Sequence, residues 1–404
     1  MNSSIVVTGL GAVTAIGVGR ETFWQGLVEG RSGIRRLELF DPEQYRTQSA
    51  AWIDEAALKL CFLSARDRLR TSRADRFGLV AAREALEDSG LDLGAIPPER
   101  VAVVLGSGAG GLIEAEPWFE RVACHGRTGR RHEILSHGPD LLTNRIASYL
   151  GAEGLRATVV TACSSSTLSV GQAADWLRCG LADVVVTGGS DSLARLTYAG
   201  FNSLRAVDPE PCRPFDRERN GLTLGEGAGI LVLEREEHAR RRGARWYARI
   251  AGYGATSDAY HMTAPEPTGE AGARALSAAL RSARVDPSEV DYINAHGTAT
   301  PHNDRAEAAA IHRVFGERAK SLPTSSIKSM VGHCLCSAGA VEAVATCLTV
   351  ARGVLPPTLR WENPDPECQL DVVPNTAREL PVRTAISSSF AFGGNSACLV
   401  VTAA

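Results

Sequence analysis

The feature that most constrains the fold is an alternation of short β-branched runs with helix-length segments. Runs rich in valine, isoleucine and threonine end in glycine, serine or threonine turns at residues 5–9, 101–105, 158–161 and 184–187. Such runs are typical of buried strands. Between them, residues 73–89 have apolar positions at helical spacing, and residues 168–180 form a second helix-length segment that ends at a glycine. The alternation predicts an α/β fold with largely parallel or mixed sheets.

The same alternation starts again after a charged stretch at residues 234–245. Strand-like runs follow at residues 248–253, 290–295, 322–327 and 397–401. No low-complexity tract or long flexible linker separates the two parts of the sequence, so we expect them to pack tightly together. The sequence therefore predicts two successive α/β halves, residues 1–245 and residues 246–404.

Composition and charge exclude several classes of protein. Of the 404 residues, 44% are hydrophobic and 22% are charged, and the net charge of −3 lacks the basic excess of a general nucleic-acid binder. The N-terminal segment has no positive leader and no apolar core of a signal peptide, which favours a cytoplasmic protein. The longest apolar stretch, residues 338–354, includes Glu342 and Arg352, so we expect a buried helix and no membrane span. The ten cysteines of the whole chain lack CxxC spacing, and we expect them to be reduced thiols.

A cysteine stands where one predicted strand gives way to a helix. Cys163 follows the run that ends at Thr161 and precedes three serines. A helix N-terminus presents free N–H groups and the positive end of the helix dipole, which favour an anion. We therefore expect a lowered thiol pKa and a nucleophilic thiolate at Cys163. A buried structural cysteine is the commoner role for an arbitrary cysteine, but the strand-to-helix position favours the nucleophile.

Two histidines also follow predicted strands and stand beside glycines. His296 lies in the segment NAHGTAT, and His333 ends the segment SIKSMVGH. Either one alone would be structural about as often as functional, and no HExxH or clustered Cys/His spacing indicates a metal. A nucleophilic cysteine with two strand-end histidines is more specific, because it matches an activated-nucleophile set.

Together these segments resemble the β-ketoacyl-acyl-carrier-protein synthases, the condensing enzymes of fatty-acid and polyketide synthesis. The resemblance covers nearly the whole chain, and its motifs occur in the family's order. They are VVTGLG at 6–11, the Cys163 segment, PFDRERNG at 214–221 leading to GEG at 225–227, the two histidine segments, and SFAFGGN at 389–395.

The resemblance implies a thiolase-like fold of two related halves, each a mixed sheet covered by helices. It also implies a dimer, formed with a second copy or with a related ketosynthase chain. By this analogy Cys163 takes the acyl chain from an acyl-carrier thioester. His296 and His333 would serve decarboxylation of the malonyl-carrier and stabilise the enolate that attacks the acyl-cysteine.

Further roles follow from the same resemblance. Lys328 would organise the electrostatics of the site, with Glu342 on the following helix. Phe392, with Phe390 before it, matches the family's gating segment, and the N–H groups of Phe392 and Cys163 would form the oxyanion hole. Thr298 and Thr300 match residues that bind the phosphopantetheine arm. That arm arrives on the carrier protein, so no resident cofactor and no metal are expected.

The carrier protein is acidic in this family, so arginines near the tunnel mouth are candidates for docking it. They are Arg66, Arg68 and Arg70 before the predicted helix at residue 73, and Arg205. A solvated basic face is the alternative explanation for such a charge run.

The sequence departs from the family pattern at several positions near these motifs. Ala391 replaces the glycine that is usual between the two phenylalanines, which predicts a stiffer gate. Cys334 and Cys336 stand where bulkier aliphatic residues or glycine are usual, which alters the pocket wall or the neighbouring helix.

Two other functions remain open. A noncatalytic chain-length partner of a ketosynthase would bind the acyl chain, but such partners characteristically lose the nucleophile that Cys163 supplies. A thiolase acting on coenzyme A thioesters would want a second catalytic cysteine, and Cys398 lies on the predicted final strand. Acyl length and saturation, and the choice between a fatty-acid and a polyketide (or polyene) pathway, stay open.

Overall fold

The computed structural model describes residues 4–126 and 131–404, so the first three residues of the N-terminal segment lie outside the described residues. Its strands are β1 Ile5–Thr14, β2 Gly17–Val18, β3 Ile34–Arg36, β4 Ser49–Ala51, β5 Val101–Gly106, β6 Arg156–Val159, β7 Val184–Asp191, β8 Gly227–Arg235, β9 Ala248–Ser257, β10 Tyr292–Asn294, β11 Pro323–Ser325, β12 Val354–Leu355, β13 Asp371–Val372, β14 Arg378–Glu379, β15 Thr384–Phe390 and β16 Asn395–Ala403. Its α-helices are α1 Arg20–Val28, α2 Ala65–Arg70, α3 Arg73–Ser89, α4 Leu112–His125, α5 Asp140–Leu150, α6 Ser165–Arg178, α7 Arg195–Ser203, α8 Glu236–Arg241, α9 Glu270–Ala283, α10 Pro301–Phe315, α11 Lys328–Val331 and α12 Ala338–Arg352.

The main sheet consists of two strand sets with the same order and the same strand directions. The first set runs β6-β5-β7-β8-β1 and the second runs β11-β10-β15-β16-β9, with β13 added beyond β11. In each set the first three strands are parallel, and the remaining two pair antiparallel. Antiparallel pairing of β1 with β9 joins the two sets into one sheet. The predicted α/β fold of two related halves with mixed sheets is confirmed.

The expected division at residue 245 falls in the connection between α8 and β9. It stays a prediction as a domain boundary, because the β1–β9 pairing and a shared core tie the two strand sets together.

Helices α6 and α12 form the central layer of the molecule. Each contacts strands from both sets, and their apolar faces share one hydrophobic core with those strands. Helices α3 and α5 cover the outer face of the first set, and α9 and α10 cover that of the second. Along β8, Leu231 faces the central core while Ile230 faces the outer one, because successive side chains of a strand point to opposite faces.

The central helices approach closely at one glycine. A Cβ at Gly339 on α12 would overlap the Thr167 hydroxyl on α6. That hydroxyl is hydrogen-bonded to Ser389 Oγ of β15 at 2.6 Å. Glycine therefore permits the helix contact that brings α6 and α12 together in the central layer.

Helix α12 contains the most apolar stretch of the chain. By length and composition, the segment Leu335–Arg352 could cross a membrane, but 89% of it is buried inside the protein. The predicted buried helix is confirmed. All ten cysteines lie in the described residues and are free thiols, as expected.

Candidate active site

Cys163 lies in the sharp turn that joins β6 to α6. Ala162 before it has φ of 53°, a left-handed conformation that is uncommon for a residue with a Cβ. The Ser165 hydroxyl stabilises the turn by accepting the N–H of Thr161 at 2.8 Å and donating to the carbonyl of Ala162 at 2.6 Å. The turn places the Cys163 side chain ahead of the helix, where it is buried but borders a cavity.

His296 follows β10, and a carboxylate on α10 fixes its loop. Glu307 accepts the backbone N–H groups of His296 and Gly297, both at 2.7 Å. One turn earlier, Asp304 accepts the N–H of Ala299 at 3.1 Å and that of Phe215 at 2.7 Å. These two acidic residues were not predicted from the sequence. Asp304 and Glu307 lie three and six residues after Pro301, so they share one face of the helix that follows the histidine motif, and this spacing is the signal that could have identified them.

His333 follows α11 and has one defined tautomer. Its Nδ1 accepts the backbone N–H of Leu335 at 3.1 Å. The neutral ring therefore carries its proton on Nε2, which lies 2.9 Å from Cys163 Sγ. The rings of His296 and His333 meet edge-on, with centroids 5.4 Å apart. The structure thus brings the three predicted reactive side chains together.

Lys328 has an acceptor for each of its three ammonium protons. Its Nζ donates to His296 Nδ1 at 3.2 Å, to the His296 carbonyl at 2.6 Å and to the carboxylate of Glu342. An ammonium group only donates, so Nδ1 of His296 is an acceptor and its Nε2 carries the proton. Lys328 and Glu342 are each 1% exposed. The buried ion pair therefore fixes the tautomer of the second histidine.

Burial and the lysine keep both histidines neutral. Desolvation, followed by the nearby Lys328 charge, holds the pKa values of His296 and His333 well below the ordinary 6.5. Burial also raises the pKa of Glu342 to about 7, although Lys328 opposes the shift. Two neutral imidazoles with protons on Nε2 are hydrogen-bond donors toward the cavity.

The expectation of a lowered Cys163 pKa is wrong. Burial raises the pKa of the thiol to about 11, and this effect outweighs the Lys328 charge and two backbone N–H groups that lower it. Those N–H groups belong to Phe392 and to Cys163 itself. The dipole argument neglected desolvation of the thiolate, which is the larger effect at this depth.

The predicted gate, residues 390–394, lies against the cysteine and the histidine. Phe392 stacks on Phe201 of α7, with ring centroids 5.6 Å apart, and Phe390 meets the His296 ring edge-on at 6.2 Å. Ala391 is extended, with φ of −118°, so its methyl group causes no strain in this conformation. Gly393 has φ of 80°, which glycine adopts freely. The predicted stiffening of the gate by Ala391 stays a prediction about its motion.

A cavity of about 420 Å³ leads from the surface to these groups. Its lining includes Cys163, both histidines, both phenylalanines of the gate, and the two threonines predicted to bind the arm. The hydroxyls of Thr298 and Thr300 lie 3.0 Å apart. Exposed Arg205 lines the cavity as well, so the cavity opens beside a positive charge.

The donor atoms of Cys163, His296 and His333 lie within 4.8 Å of one another, a spacing that could surround a metal ion. Both Nε2 atoms carry protons, because both Nδ1 atoms accept hydrogen bonds, and the Lys328 cation is adjacent. A metal would have to displace a proton and approach that positive charge. The arrangement suits hydrogen-bond donation to an anionic oxygen better than metal binding.

Comparison with known proteins gives the family. Residues 2–239 match the model of the N-terminal domain of beta-ketoacyl synthases, and residues 247–362 match the model of their C-terminal domain. The chain belongs to the β-ketoacyl synthase family. This synthase is therefore a condensing enzyme of the acyltransferase class.

Relatives of the synthase match over its full length. A 3-oxoacyl-[acyl-carrier-protein] synthase 2 of Staphylococcus aureus (strain COL) is 40% identical, over 99% of this chain and 98% of the relative. A putative polyketide beta-ketoacyl synthase 1 of Streptomyces cyaneus is 43% identical, over 100% and 98%. Among solved structures, the ishigamide ketosynthase/chain length factor superposes with a TM-score of 0.93 at 35% identity, and the match covers all of both chains.

The four arginines predicted for docking do not form one group around the synthase's cavity. Arg205 lines the cavity, whereas Arg66, Arg68 and Arg70 are exposed on α2 and are not among its lining residues. Arg68 lines a separate cavity with Glu114 and Glu133. Docking by the α2 arginines stays a prediction.

Cys398 of the synthase is remote from the cavity chemistry. It lies inside the sheet on β16, is fully buried, and faces Ser388 Oγ on the neighbouring strand at 3.9 Å. Burial raises the pKa of its thiol to about 12. This placement agrees with a structural cysteine and gives no second nucleophile of the kind a thiolase uses.

Proposed function

We propose that the synthase catalyses the decarboxylative Claisen condensation of a malonyl-carrier thioester with an acyl chain on Cys163. The observation that carries this proposal is the placement of two neutral Nε2–H donors and the Cys163 thiol around one cavity. Decarboxylation of a malonyl thioester develops negative charge on the thioester oxygen. Preorganised donors stabilise such charge, and loss of one donor typically costs about 10²- to 10³-fold in rate.

In the first step Cys163 Sγ attacks the carbonyl carbon of an acyl-carrier thioester. The new bond is Sγ–C, the broken bond joins that carbon to the sulfur of the phosphopantetheine arm, and the thiol proton passes to the departing sulfur. The N–H groups of Cys163 and Phe392 stabilise the tetrahedral oxyanion.

In the second step the malonyl unit enters the same cavity. Its C–C bond to the carboxylate breaks and releases carbon dioxide, while His296 and His333 donate to the thioester oxygen of the enolate. The enolate carbon attacks the acyl-cysteine carbonyl, the Sγ–C bond breaks, and the Cys163 thiolate takes up one proton. The product is a β-ketoacyl chain two carbons longer, attached to the carrier.

The partners follow from the same chemistry. The carrier supplies the phosphopantetheine arm, which Thr298 and Thr300 would contact along the cavity, so the synthase needs no resident cofactor. The names of its relatives support an acyl-carrier protein as substrate and a second ketosynthase-like chain as a dimer partner. A fatty-acid or type II polyketide pathway and a cytoplasmic location belong to this proposal.

The proposed function is tested by mass spectrometry of the protein and its products. Incubation with an acyl-carrier substrate should add the acyl mass to the peptide that contains Cys163, and addition of malonyl-carrier should then give a product two carbons longer. Cys163→Ala should abolish both signals. A stable acyl adduct on Cys334 or Cys336, or condensed product from Cys163→Ala, would refute the assignment.

A further inference from the structure

The ring proton of His333 is placed by a backbone N–H group in a strained turn. That N–H belongs to Leu335 and donates to His333 Nδ1 at 3.1 Å. Leu335 has φ of 53°, a left-handed conformation that is unfavourable for a residue with a bulky side chain. Such a conformation persists only where surrounding contacts hold it. The contacts that hold Leu335 therefore also hold the tautomer of His333.

Two local contacts hold this turn. The Leu335 side chain is 7% exposed and packs in an apolar cluster with Leu193. Ser337 closes the turn by donating its N–H and its hydroxyl to the carbonyl of Cys334, at 3.1 and 2.7 Å. Neither contact engages the backbone amide of Cys336, which follows the strained residue. That amide ties the turn to the main sheet.

The acceptor of the Cys336 amide is Asp191, a buried carboxylate that the proposed chemistry does not use. Asp191 is the last residue of β7 and is 1% exposed. One of its oxygens accepts the N–H of Cys336 at 3.2 Å, and the other accepts that of Ala109, after β5, at 2.9 Å. Its backbone pairs with Gly227 of β8, so the carboxylate projects from a fixed point of the sheet. A rigid strand end therefore anchors the turn that carries the Leu335 N–H.

We propose that Asp191 is a positioning residue for the condensation step, because it holds the turn after His333 in the conformation that fixes the His333 proton on Nε2. This inference rests on the proposed function. Without the Asp191 carboxylate, the Cys336 N–H loses its acceptor, and the turn can relax so that the Leu335 N–H leaves Nδ1. Since Cys163 Sγ lies 2.9 Å from Nε2, the thiol can donate to Nε2 once the His333 proton moves to Nδ1.

The expected effect is a partial loss of one enolate donor. A His333 ring that is protonated on Nδ1 presents a lone pair to the cavity in place of a proton. Complete loss of one donor costs about 10²- to 10³-fold in rate. Asp191→Ala leaves the ring in place and moves its proton in most but not all molecules, so we expect condensation to fall about tenfold. Loading of Cys163 should stay close to wild type, because acyl transfer does not use the Nε2 proton of His333 in the proposed steps.

The first measurement is the tautomer itself, read by ¹⁵N NMR of protein labelled in its histidine rings. The His333 signal is identified by its absence in His333→Ala. Wild type should carry the proton on Nε2, and Asp191→Ala should show a fraction protonated on Nδ1.

Asp291→Ala is the matched control. Asp291 also accepts two backbone N–H groups, those of Arg383 and Thr384 at 2.7 and 3.0 Å. It stands just before β10, whereas His296 follows the end of that strand. Asp291→Ala should therefore lower stability without moving the His333 proton.

The second measurement is a double-mutant cycle on the condensation rate. If Asp191 acts through His333, Asp191→Ala should slow the wild type about tenfold and should not slow His333→Ala any further. A residue that serves only the fold would slow both backgrounds by the same factor.

Three results would overturn the inference. They are a wild-type tautomer of His333 in folded Asp191→Ala, an equal further fall in the His333→Ala background, and unchanged condensation in a folded variant whose tautomer has shifted. If Asp191→Ala does not fold, Asp191→Val repeats both measurements. Failure of both variants to fold also overturns the positioning role, because Asp191 then serves the fold itself. The proposed function fails separately, by the absence of acyl mass on wild-type Cys163, and that result leaves the tautomer measurement standing.

Discussion

Lys328→Met should separate the structural role of the buried ion pair from its role in catalysis. In the wild type, Nζ of Lys328 satisfies His296 Nδ1, the His296 carbonyl and the Glu342 carboxylate. Methionine has a similar length but no donor. The substitution therefore leaves Glu342 as an unpaired buried carboxylate and leaves His296 Nδ1 without its ammonium donor.

The loss of stability follows from the burial of both partners. Breaking a buried ion pair by removal of one partner costs about 3–5 kcal/mol, because an uncompensated charge remains. Burial already raises the pKa of Glu342 to about 7 from the ordinary 4.5, and Lys328 opposes that shift, so the pKa rises further without the lysine. The folded variant then holds a proton that the unfolded chain releases. Its stability deficit should therefore be small at pH 5 and grow as the pH rises toward 9.

A double variant removes the charge and keeps the catalytic defect. In Lys328→Met/Glu342→Gln no ionised group remains at the pair, so most of the lost stability and its pH dependence should return. The proton on His296 Nε2 stays unspecified, because no ammonium group fixes Nδ1 as an acceptor. Condensation should therefore remain about 10²- to 10³-fold below wild type in both variants.

The assay combines urea unfolding at pH 5, 7 and 9 with the single-turnover rate of condensation. Glu342→Gln alone is the control for the amide. Recovery of near-wild-type condensation in the double variant would refute the tautomer argument. Wild-type stability of Lys328→Met at pH 9 would refute the account of the buried charge.

Three further predictions concern the thiol, the docking charge and the packing of the central helices. Alkylation of Cys163 by iodoacetamide, measured on the peptide that contains Cys163, should become roughly tenfold faster per pH unit from pH 7 to pH 10. The reason is that the thiolate is the nucleophile and burial raises the pKa of the thiol to about 11. A rate that levels off below pH 9 would contradict this prediction. Arg205→Glu should raise the KM for carrier-bound substrate severalfold at low salt and by less at high salt. Its effect should exceed that of Arg66→Glu, because of these two arginines only Arg205 lines the cavity. Equal effects of the two charge reversals on KM would contradict a docking role for Arg205 at the cavity mouth. Gly339→Val should lower the free energy of unfolding, measured with urea, by about 1–3 kcal/mol, because its side chain would overlap Thr167. The control Gly200→Ala should not lower it, because the space around a Cβ at residue 200 is open.

Much of the architecture was predictable because local patterns were strong. The helix predicted at residues 73–89 is α3 with the same bounds, since a serine cap precedes its apolar spacing and a glycine ends it. Strand β6 was predicted at residues 158–161 but spans Arg156–Val159, because a β-branched run continues into the turn before Cys163. Strand β15 was not among the predicted strands. Three of its seven residues are serines, which are typical of turns, although the sheet buries them here.

The candidate site was predictable in its residues and less so in its electrostatics. Cys163 after β6, His296 after β10 and His333 after α11 come together at one cavity, and the motifs had already singled out all three. Glu307 and Asp304 were missed because their role depends on a helix packing against the histidine loop, a tertiary contact. The direction of the Cys163 pKa shift was missed because burial depth is not a property of local sequence.

The central claim is that two separable steps take place in one cavity. They are acyl transfer to Cys163 and formation of an enolate that His296 and His333 stabilise by hydrogen bonds. Its most direct test loads wild type, His296→Ala and His333→Ala with an acyl chain, adds malonyl-carrier, and quantifies acyl-Cys163 and condensed product in the same samples. The account predicts that both variants still load acyl chains, whereas product forms at least about 100-fold more slowly than in wild type. An equal fall in loading and condensation in both folded variants would contradict it.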